Sequence, residues 1–278
     1  MLVSNYTVVG GKGFIGSAIT TYLKKMGNTV YVPKRNDDEL FEQELGTLIY
    51  CAGQGDCTNR PFEVLNAHTV LLSNVLQHAN FKRLIYISST RLYAGQNPTN
   101  ESDNLTILSE DNRRLFNLTK LVAEELCLLS QQDVLILRPS NVYGLALQSP
   151  LFLPAITRNA INNGRIDMYV SPDYAKDYVS IDDLVSVIYQ MSLKNTFSKK
   201  IYNVASGVNT CASSIATILS SETGCTVNWV DGCVDEYFPV NDIAAIKQEI
   251  SFEPRNVLDD LKLMVDDFKT KLCDRHTE

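Results

Sequence analysis

The sequence has little of what metal, disulfide or nucleic-acid chemistry requires. It holds three histidines, His68, His78 and His276, and no two of them have metal-ligand spacing. A zinc site and a Ser-His-Asp site are both unsupported by that pattern. The seven cysteines are odd in number and scattered, with no C-x-x-C. That excludes a paired disulfide framework and points to reduced thiols in a reducing compartment. There is no basic excess: 25 Lys and Arg face 32 Asp and Glu, a net charge of −7, which argues against nucleic-acid binding by bulk charge. No run reaches the ~18 apolar residues of a membrane span. The opening MLVSNYTVVGGKGFIGS has neither the basic start nor the clean apolar stretch of a signal peptide. No repeat or low-complexity segment is present. The expectation is a cytoplasmic protein with no membrane and no nucleic-acid partner.

What is present is apolar bulk in a regular order. The chain has 278 residues, 45% of them hydrophobic, enough for one large domain or two joined ones at roughly 100–200 residues each. YTVVG (6–10), TVYVP (29–33), TLIYCAG (47–53), RLIYISS (83–89) and DVLILRPS (133–140) read as buried strands. Helical patterns at 17–26, 61–79 and 111–130 lie between them. Alternation of this kind predicts α/β architecture, a doubly wound parallel sheet with right-handed crossovers. Beyond residue 143 the pattern loosens. Helices are expected at 153–163, 181–193 and 210–223, and short strands near 166–170, 177–180, 200–204 and 226–230. The division expected is a Rossmann domain over 1–142 and a small C-terminal α/β lobe over 143–278, with about 176–206 returning to the first domain.

One short motif carries chemistry by its context. VVGGKGFIGSAI sets Gly10, Gly13 and Gly16 directly after the first strand and at the head of a helix. Glycine allows the tight turn and close approach of backbone to a pyrophosphate, and the helix start offers unpaired N–H groups. Phe14 and Ile15 fall in the same turn. Dinucleotide binding is the expectation. A Walker phosphate loop is excluded, because Gly11-Lys12 is followed by Gly13 and not by Ser or Thr. At the end of the second strand an acid would hold the ribose hydroxyls of NAD; Lys34 and Arg35 stand there, and acids begin only at Asp37. Two cations suit a 2′-phosphate, so NADP is expected, with NAD second.

Taken in order, these segments resemble the extended short-chain dehydrogenase/reductase family, the NAD(P)-dependent epimerases and dehydratases of nucleotide sugars. The likeness covers nearly the whole chain: the glycines at 10–16, YCAG (50–53), Asn66, YISSTRLYAG (86–95), RPSNVYG (138–144), KDYVSIDDL (176–184) and IYNVASG (201–207). It implies that Cys51, Ala52 and Gly53 lie over the cofactor and that Pro139 and Val142 close on the nicotinamide. It gives Ser89, or else Thr90, the hydroxyl that bonds the sugar oxygen. Asn141, Tyr93 and Tyr143 would meet substrate, and Lys176 would stand for the Arg that holds the nucleotide diphosphate. It also implies a homodimer through the helices at 61–79 and 111–130. Asp182 and Asp183 read as helix-start charges.

The family's usual proton donor is a Tyr four residues before a Lys, so that both point to one site. Here RRLFNLTKLVAEEL (113–126) keeps Lys120 and has Phe116 where the Tyr is expected. None of the thirteen tyrosines is followed by Lys at the fourth position. Three explanations stand: another group, among Tyr93, Tyr143, Ser89, Thr90 or a water, moves the proton; the reaction makes a different demand; or the chain binds NADP(H) without turnover. The expected function is hydride transfer on a nucleotide-linked sugar, with Lys120 orienting the ribose.

Overall fold

The computed structural model describes residues 5–275 apart from 36, 98 and 234; His276 lies outside them. Six parallel strands form the main sheet: β1 Asn5–Val9, β2 Thr29–Tyr31, β3 Thr47–Tyr50, β4 Arg83–Ile87, β5 Val134–Pro139 and β9 Ile201–Val204, in the order β2-β1-β3-β4-β5-β9. The chain leaves β1 toward β2 and then crosses back to β3 on the other side. Ligands of open α/β sheets sit in the crevice at such a reversal, outside the carboxyl ends of the strands.

Period-two alternation sends the side chains of each strand to two cores. On β4, Ile85 and Ile87 enter the core with α1 (Phe14–Lys25) and α6 (Ile181–Leu193), where Ile19, Leu23, Leu184 and Ile188 pack. Leu84 and Tyr86 enter the opposite core, with Leu72 and Val75 of α3 (Leu71–His78) and Ala123 and Cys127 of α4 (Arg114–Leu129). The segment expected as one helix over 61–79 is α2 (Pro61–Leu65), a wide π-helical turn at Asn66–Val70, and then α3. The helix expected from 111 starts at Arg114.

The third core joins α5 (Phe152–Asn163), α7 (Ala212–Thr223) and α9 (Val257–Arg275) through Leu153, Ile156, Ile215, Leu219, Leu261, Val265 and Phe268. Two small sheets serve this side: β6 (Asn141–Tyr143), β8 (Ala175–Ser180) and β10 (Asn209–Cys211) form one, and β7 (Arg165–Met168) pairs with β11 (Thr226–Trp229) in the other. The helix α8 (Ala244–Glu249) returns to the main sheet, where Ile246 joins the α1/α6 core. The sequence pattern gave no warning of β6, β10, α8 or α9. Among the described residues no helix is long and apolar enough to cross a membrane.

Candidate active site

The turn after β1 fits a dinucleotide pyrophosphate on its own geometry. Gly10 has φ +80, and a Cβ there would lie 2.6 Å from Ala52 N. A Cβ on Gly16 would lie 2.2 Å from Gly10 O. Larger residues would push the turn off β3 or off its own helix. No side chain caps the start of α1, so its first N–H groups remain for an anion. Ala52 and Gly53 follow β3 immediately, and Gly53 is packed so closely that a Cβ would lie 3.3 Å from His68 Nε2. The Cys51 thiol is pushed up to about 12 by burial and is no nucleophile. Lys34 and Arg35 are exposed in the loop after β2. Asp37 accepts the Lys34 backbone N–H at 2.9 Å and the Tyr31 hydroxyl at 3.0 Å, and the first of these bonds leads in holding its carboxyl below the usual range.

Lys120 projects from α4 to the end of β4. Its Nζ donates to Ile87 O at 2.7 Å and lies 4.8 Å from the centre of the Tyr86 ring. Burial lowers its pKa to about 8, with the Glu124 carboxylate as the main opposing influence. One turn earlier on the helix is Phe116, which brings an apolar ring and no proton. Two groups pack on that ring, and Thr119 ties down the backbone beneath it. His68 meets it edge-on with centroids 5.1 Å apart, and the Arg113 guanidinium lies over it at 4.5 Å. Thr119 Oγ1 bonds back to Leu115 O and Phe116 O at 2.9 and 3.0 Å.

His68 is fully buried in the π turn. Its Nδ1 is 2.8 Å from Thr119 Oγ1, and its Nε2 accepts the Gln54 N–H at 3.3 Å. A ring nitrogen that accepts a backbone N–H carries no proton, so the proton is on Nδ1 and His68 donates to Thr119. Burial first, then the charges of Lys120 and Arg113, lower its pKa to about 3. It stays neutral and ties α4 to the loop after β3. The sequence reading excluded His68 as a metal ligand and found no other role for it; a His inside the apolar helical run VLNAHTVLL was the available signal.

Ser89 caps a short 3₁₀ turn, accepting Arg91 N at 3.1 Å, and its hydroxyl proton is left free to donate. Thr90 is buried beside it. Both sit just past the end of β4, as Lys120 does. Two tyrosines expected at the substrate are committed elsewhere. The Tyr93 hydroxyl donates to Asn203 Oδ1 at 3.0 Å and accepts from Arg138 Nη1 at 2.6 Å, with none of its surface exposed. The Tyr143 hydroxyl donates to Asp260 Oδ2 at 2.7 Å, and burial leads in raising its pKa far above the usual phenol range. The structure thus corrects the reading of Tyr93 and Tyr143 as substrate contacts or proton donors: the internal acceptors hold both phenols. Asn141 is exposed on β6 and donates to Asp177 O at 2.8 Å. Pro139 ends β5, and Val142 packs against the α1/α6 core.

Near the start of α4, where Asp111 accepts Arg113 N and Asn117 Nδ2, is a charged cluster that the sequence did not announce. Arg91 pairs with Glu236 through both guanidinium ends, at 3.2 and 2.6 Å, and with Asp111 at 2.7 Å. Lys176 lies 4.8 Å from the Tyr174 ring centre and 4.5 Å from that of Phe238. Burial lowers its pKa to about 8. Glu236 and Phe238 come from the loop after β11, more than 100 residues from Arg91 or Arg113 in the chain, so only folding unites them.

Residues 6–205 match the NAD dependent epimerase/dehydratase family. A dTDP-D-glucose 4,6-dehydratase of Dictyostelium discoideum is 22% identical over 257 residues, which cover 73% of this chain and 58% of that protein; the chain thus spans under two thirds of the length of this relative. Among solved structures, MoeE5 in complex with UDP-glucose and NAD superposes with a TM-score of 0.83 at 18% identity, over 96% of this chain and 99% of that one. RMD from Pseudomonas aeruginosa complexed with NADPH gives 0.80 at 20%, over 96% and 100%. Those likenesses show the Rossmann-like fold, and the match over residues 6–205 shows the family: the chain belongs to the NAD dependent epimerase/dehydratase family.

Proposed function

We propose that this chain is an NAD(P)-dependent enzyme that acts on a nucleotide-linked sugar, as an epimerase, dehydratase or reductase, with a proton donor other than tyrosine. The observation that carries the reading is Lys120, buried with its Nζ on Ile87 O at 2.7 Å, beside a tight glycine turn at the uncapped start of α1. The dinucleotide, when bound, supplies the hydride acceptor or donor. Gly10, Gly13 and Gly16, with the uncapped start of α1 at Phe14 and Ile15, hold its pyrophosphate. Cys51, Ala52, Gly53, Pro139 and Val142 wall its site, and Lys34 and Arg35 favour a 2′-phosphate and hence NADP. Lys120 spends one of three N–H donors on Ile87 O, which leaves two for the ribose. Ser89 donates to the sugar oxygen, with Thr90 beside it, and Lys176 meets the diphosphate. A hydroxyl of ordinary pKa is a weak acid, so proton transfer runs through Ser89 to a water or from the Lys120 ammonium, whose pKa of about 8 is near working pH.

A second reading also has an observation behind it. Phe116 is packed between His68 and Arg113 and offers no proton, which suits a protein that binds NADP(H) and does not turn it over. Oxidation of NADPH with a panel of nucleotide-linked 4-keto sugars, beside product analysis for redox-neutral reactions, separates the two. Turnover lost in Lys120→Ala supports the enzyme. Tight NADPH binding with neither oxidation nor any new product sinks it. Phe116→Tyr raises turnover if the site runs weakened family chemistry. An NADH comparison, with Lys34→Ala and Arg35→Ala, tests the NADP preference.

The same reading makes a homodimer through α2, α3 and α4, with the lobe division at about residue 143. Phe62, Leu65 and Val70 on one side, and Leu118, Val122 and Leu129 on α4, expose apolar surface that a second copy would cover. A monomer by light scattering at micromolar concentration would remove this part. The free cysteines fit the reducing cytoplasm.

A further inference from the structure

Two cations beside the charged cluster, Arg113 and Lys176, form no close ion pair and no side-chain hydrogen bond among the described residues, although Glu236 acts on both at longer range. The Arg113 side chain makes no hydrogen bond and no ion pair among the described residues, and its Nε is buried with no partner. Its contacts are the Phe116 ring at 4.5 Å and the approach of Nη2 to Gly55, where a Cβ would lie 3.5 Å away. Lys176 lies over the faces of Tyr174 and Phe238, with the Glu236 carboxylate near enough to favour its charge but not bonded to it. Two carboxylates are near, and both are spent. Arg91 takes both oxygens of Glu236 and one of Asp111. The other Asp111 oxygen takes Asn117 Nδ2 at 2.7 Å. Three cations therefore share two acids, Arg91 holds both of them directly, and Arg113 and Lys176 are offset only at a distance.

A half-buried guanidinium without an acceptor forfeits hydration and gains only a ring contact. Such an arrangement is completed by an incoming anion. The two free cations differ in place and in shape. Lys176 is a point charge on the C-terminal side, where the family resemblance sets the diphosphate. Arg113 stands over Phe116, whose own position is one helical turn before Lys120, and both Arg113 and Lys120 act on the buried His68. Its planar fork, set over the Phe116 ring at 4.5 Å, matches a carboxylate in bidentate fashion.

We propose that Arg113 binds a carboxylate carried by the sugar, so that the substrate class is a nucleotide-linked acidic sugar. This rests on the nucleotide-sugar reading above and narrows it. Arg113 then fixes the sugar's orientation against Lys120 and Ser89, and Phe116 serves as the surface that keeps the guanidinium in plane.

The test is calorimetric binding to the protein saturated with NADP⁺ or NAD⁺, with UDP, UDP-glucose, UDP-glucuronic acid and dTDP-glucose as probes. The proteins are the unchanged chain, Arg113→Gln and Arg113→Lys, each first checked for an unaltered thermal transition. A charged hydrogen-bonded pair corresponds to roughly tenfold or more in affinity, so the unchanged protein is expected to prefer UDP-glucuronic acid over UDP-glucose by that factor. Arg113→Gln should abolish the preference while UDP and UDP-glucose change by less than about threefold, and Arg113→Lys should restore part of it. Equal losses on UDP and on both sugars would make Arg113 a phosphate contact and overturn the proposal. UDP-glucose or dTDP-glucose bound without any preference for the acid would overturn it too, and leave the broader reading standing. If the unchanged protein binds none of the four, the nucleotide-sugar reading itself falls.

Discussion

Two polar clusters flank the same helix, and they are built on opposite terms. Behind α4, toward the sheet, Glu124 accepts Arg138 Nε at 2.9 Å and Nη2 at 2.5 Å, and the Ser88 hydroxyl as well. Arg138 goes on to Tyr93, and Tyr93 to Asn203 Oδ1, while the Asn203 amide group donates to Thr99 O and Asp242 O, both at 2.9 Å. The network links α4, β4, β5 and β9, and each charge has its countercharge. In front of α4, toward the cleft, Arg91 takes the available acids and Arg113 and Lys176 are left to aromatic rings. A closed network holds a fold in one arrangement. An incomplete one stores a demand that a ligand meets. The family's motifs run through both clusters, so motif membership does not tell scaffold from site; hydrogen-bond satisfaction does.

The largest effect should come from opening the closed network. Glu124→Gln leaves the buried Arg138 without an anion, and loss of one partner of such a pair costs about 3–5 kcal/mol. Urea unfolding at neutral pH should show it as a lower midpoint. If stability hardly changes, the contrast between the clusters is lost. Tyr93→Phe comes next: it strands Arg138 Nη1 and Asn203 Oδ1, at about 1–3 kcal/mol for a buried polar group left unpaired. Activity lost without stability lost would instead return Tyr93 to the substrate.

Lys120 lies between the two clusters and should show itself through pH. Its folded pKa is about 8 against an ordinary value of 10.5. Between those values the unfolded chain binds more protons than the native one, so this group makes the protein more stable as pH rises from 8 toward 10.5. Lys120→Met should flatten that part of the stability curve. Lys176 has the same sign, with its pKa also lowered to about 8 by burial, so the slope is read in a Lys176→Gln background. An unchanged slope would mean that Lys120 is solvated. The smallest effect is expected at Arg113. Arg113→Met removes a ring contact and a desolvation penalty together, and should move ligand-free stability by less than about 1 kcal/mol in either direction. A large loss would make Arg113 scaffold and remove the contrast.

Much of the fold was legible in the chain. Strand and helix alternation foretold the sheet, and Gly10, Gly13 and Gly16 foretold the turn, because at Gly10 and Gly16 local sterics leave room for glycine alone. The break in the helix at Asn66–Val70 was not legible, since a π turn keeps helical composition. Tyr93 and Tyr143 were misread for a related reason. Sequence places a phenol near a site and does not say which way its hydroxyl points, and Arg138, Asn203 and Asp260 decide that from 45 to 117 residues away.

By itself, the sequence determined which groups exist: a Lys120 without a phenol one turn before it, a glycine turn at the first strand, an acidic surface and no metal-ligand pattern among the histidines. Those are matters of composition and short-range spacing. Only the tertiary structure decided which charges meet. Glu236 joins Arg91 across 145 residues, and that pairing leaves Arg113 and Lys176 without a directly bonded acid. Countercharge is a property of distance in space, and the chain reaches those distances only when its two halves close on one cleft.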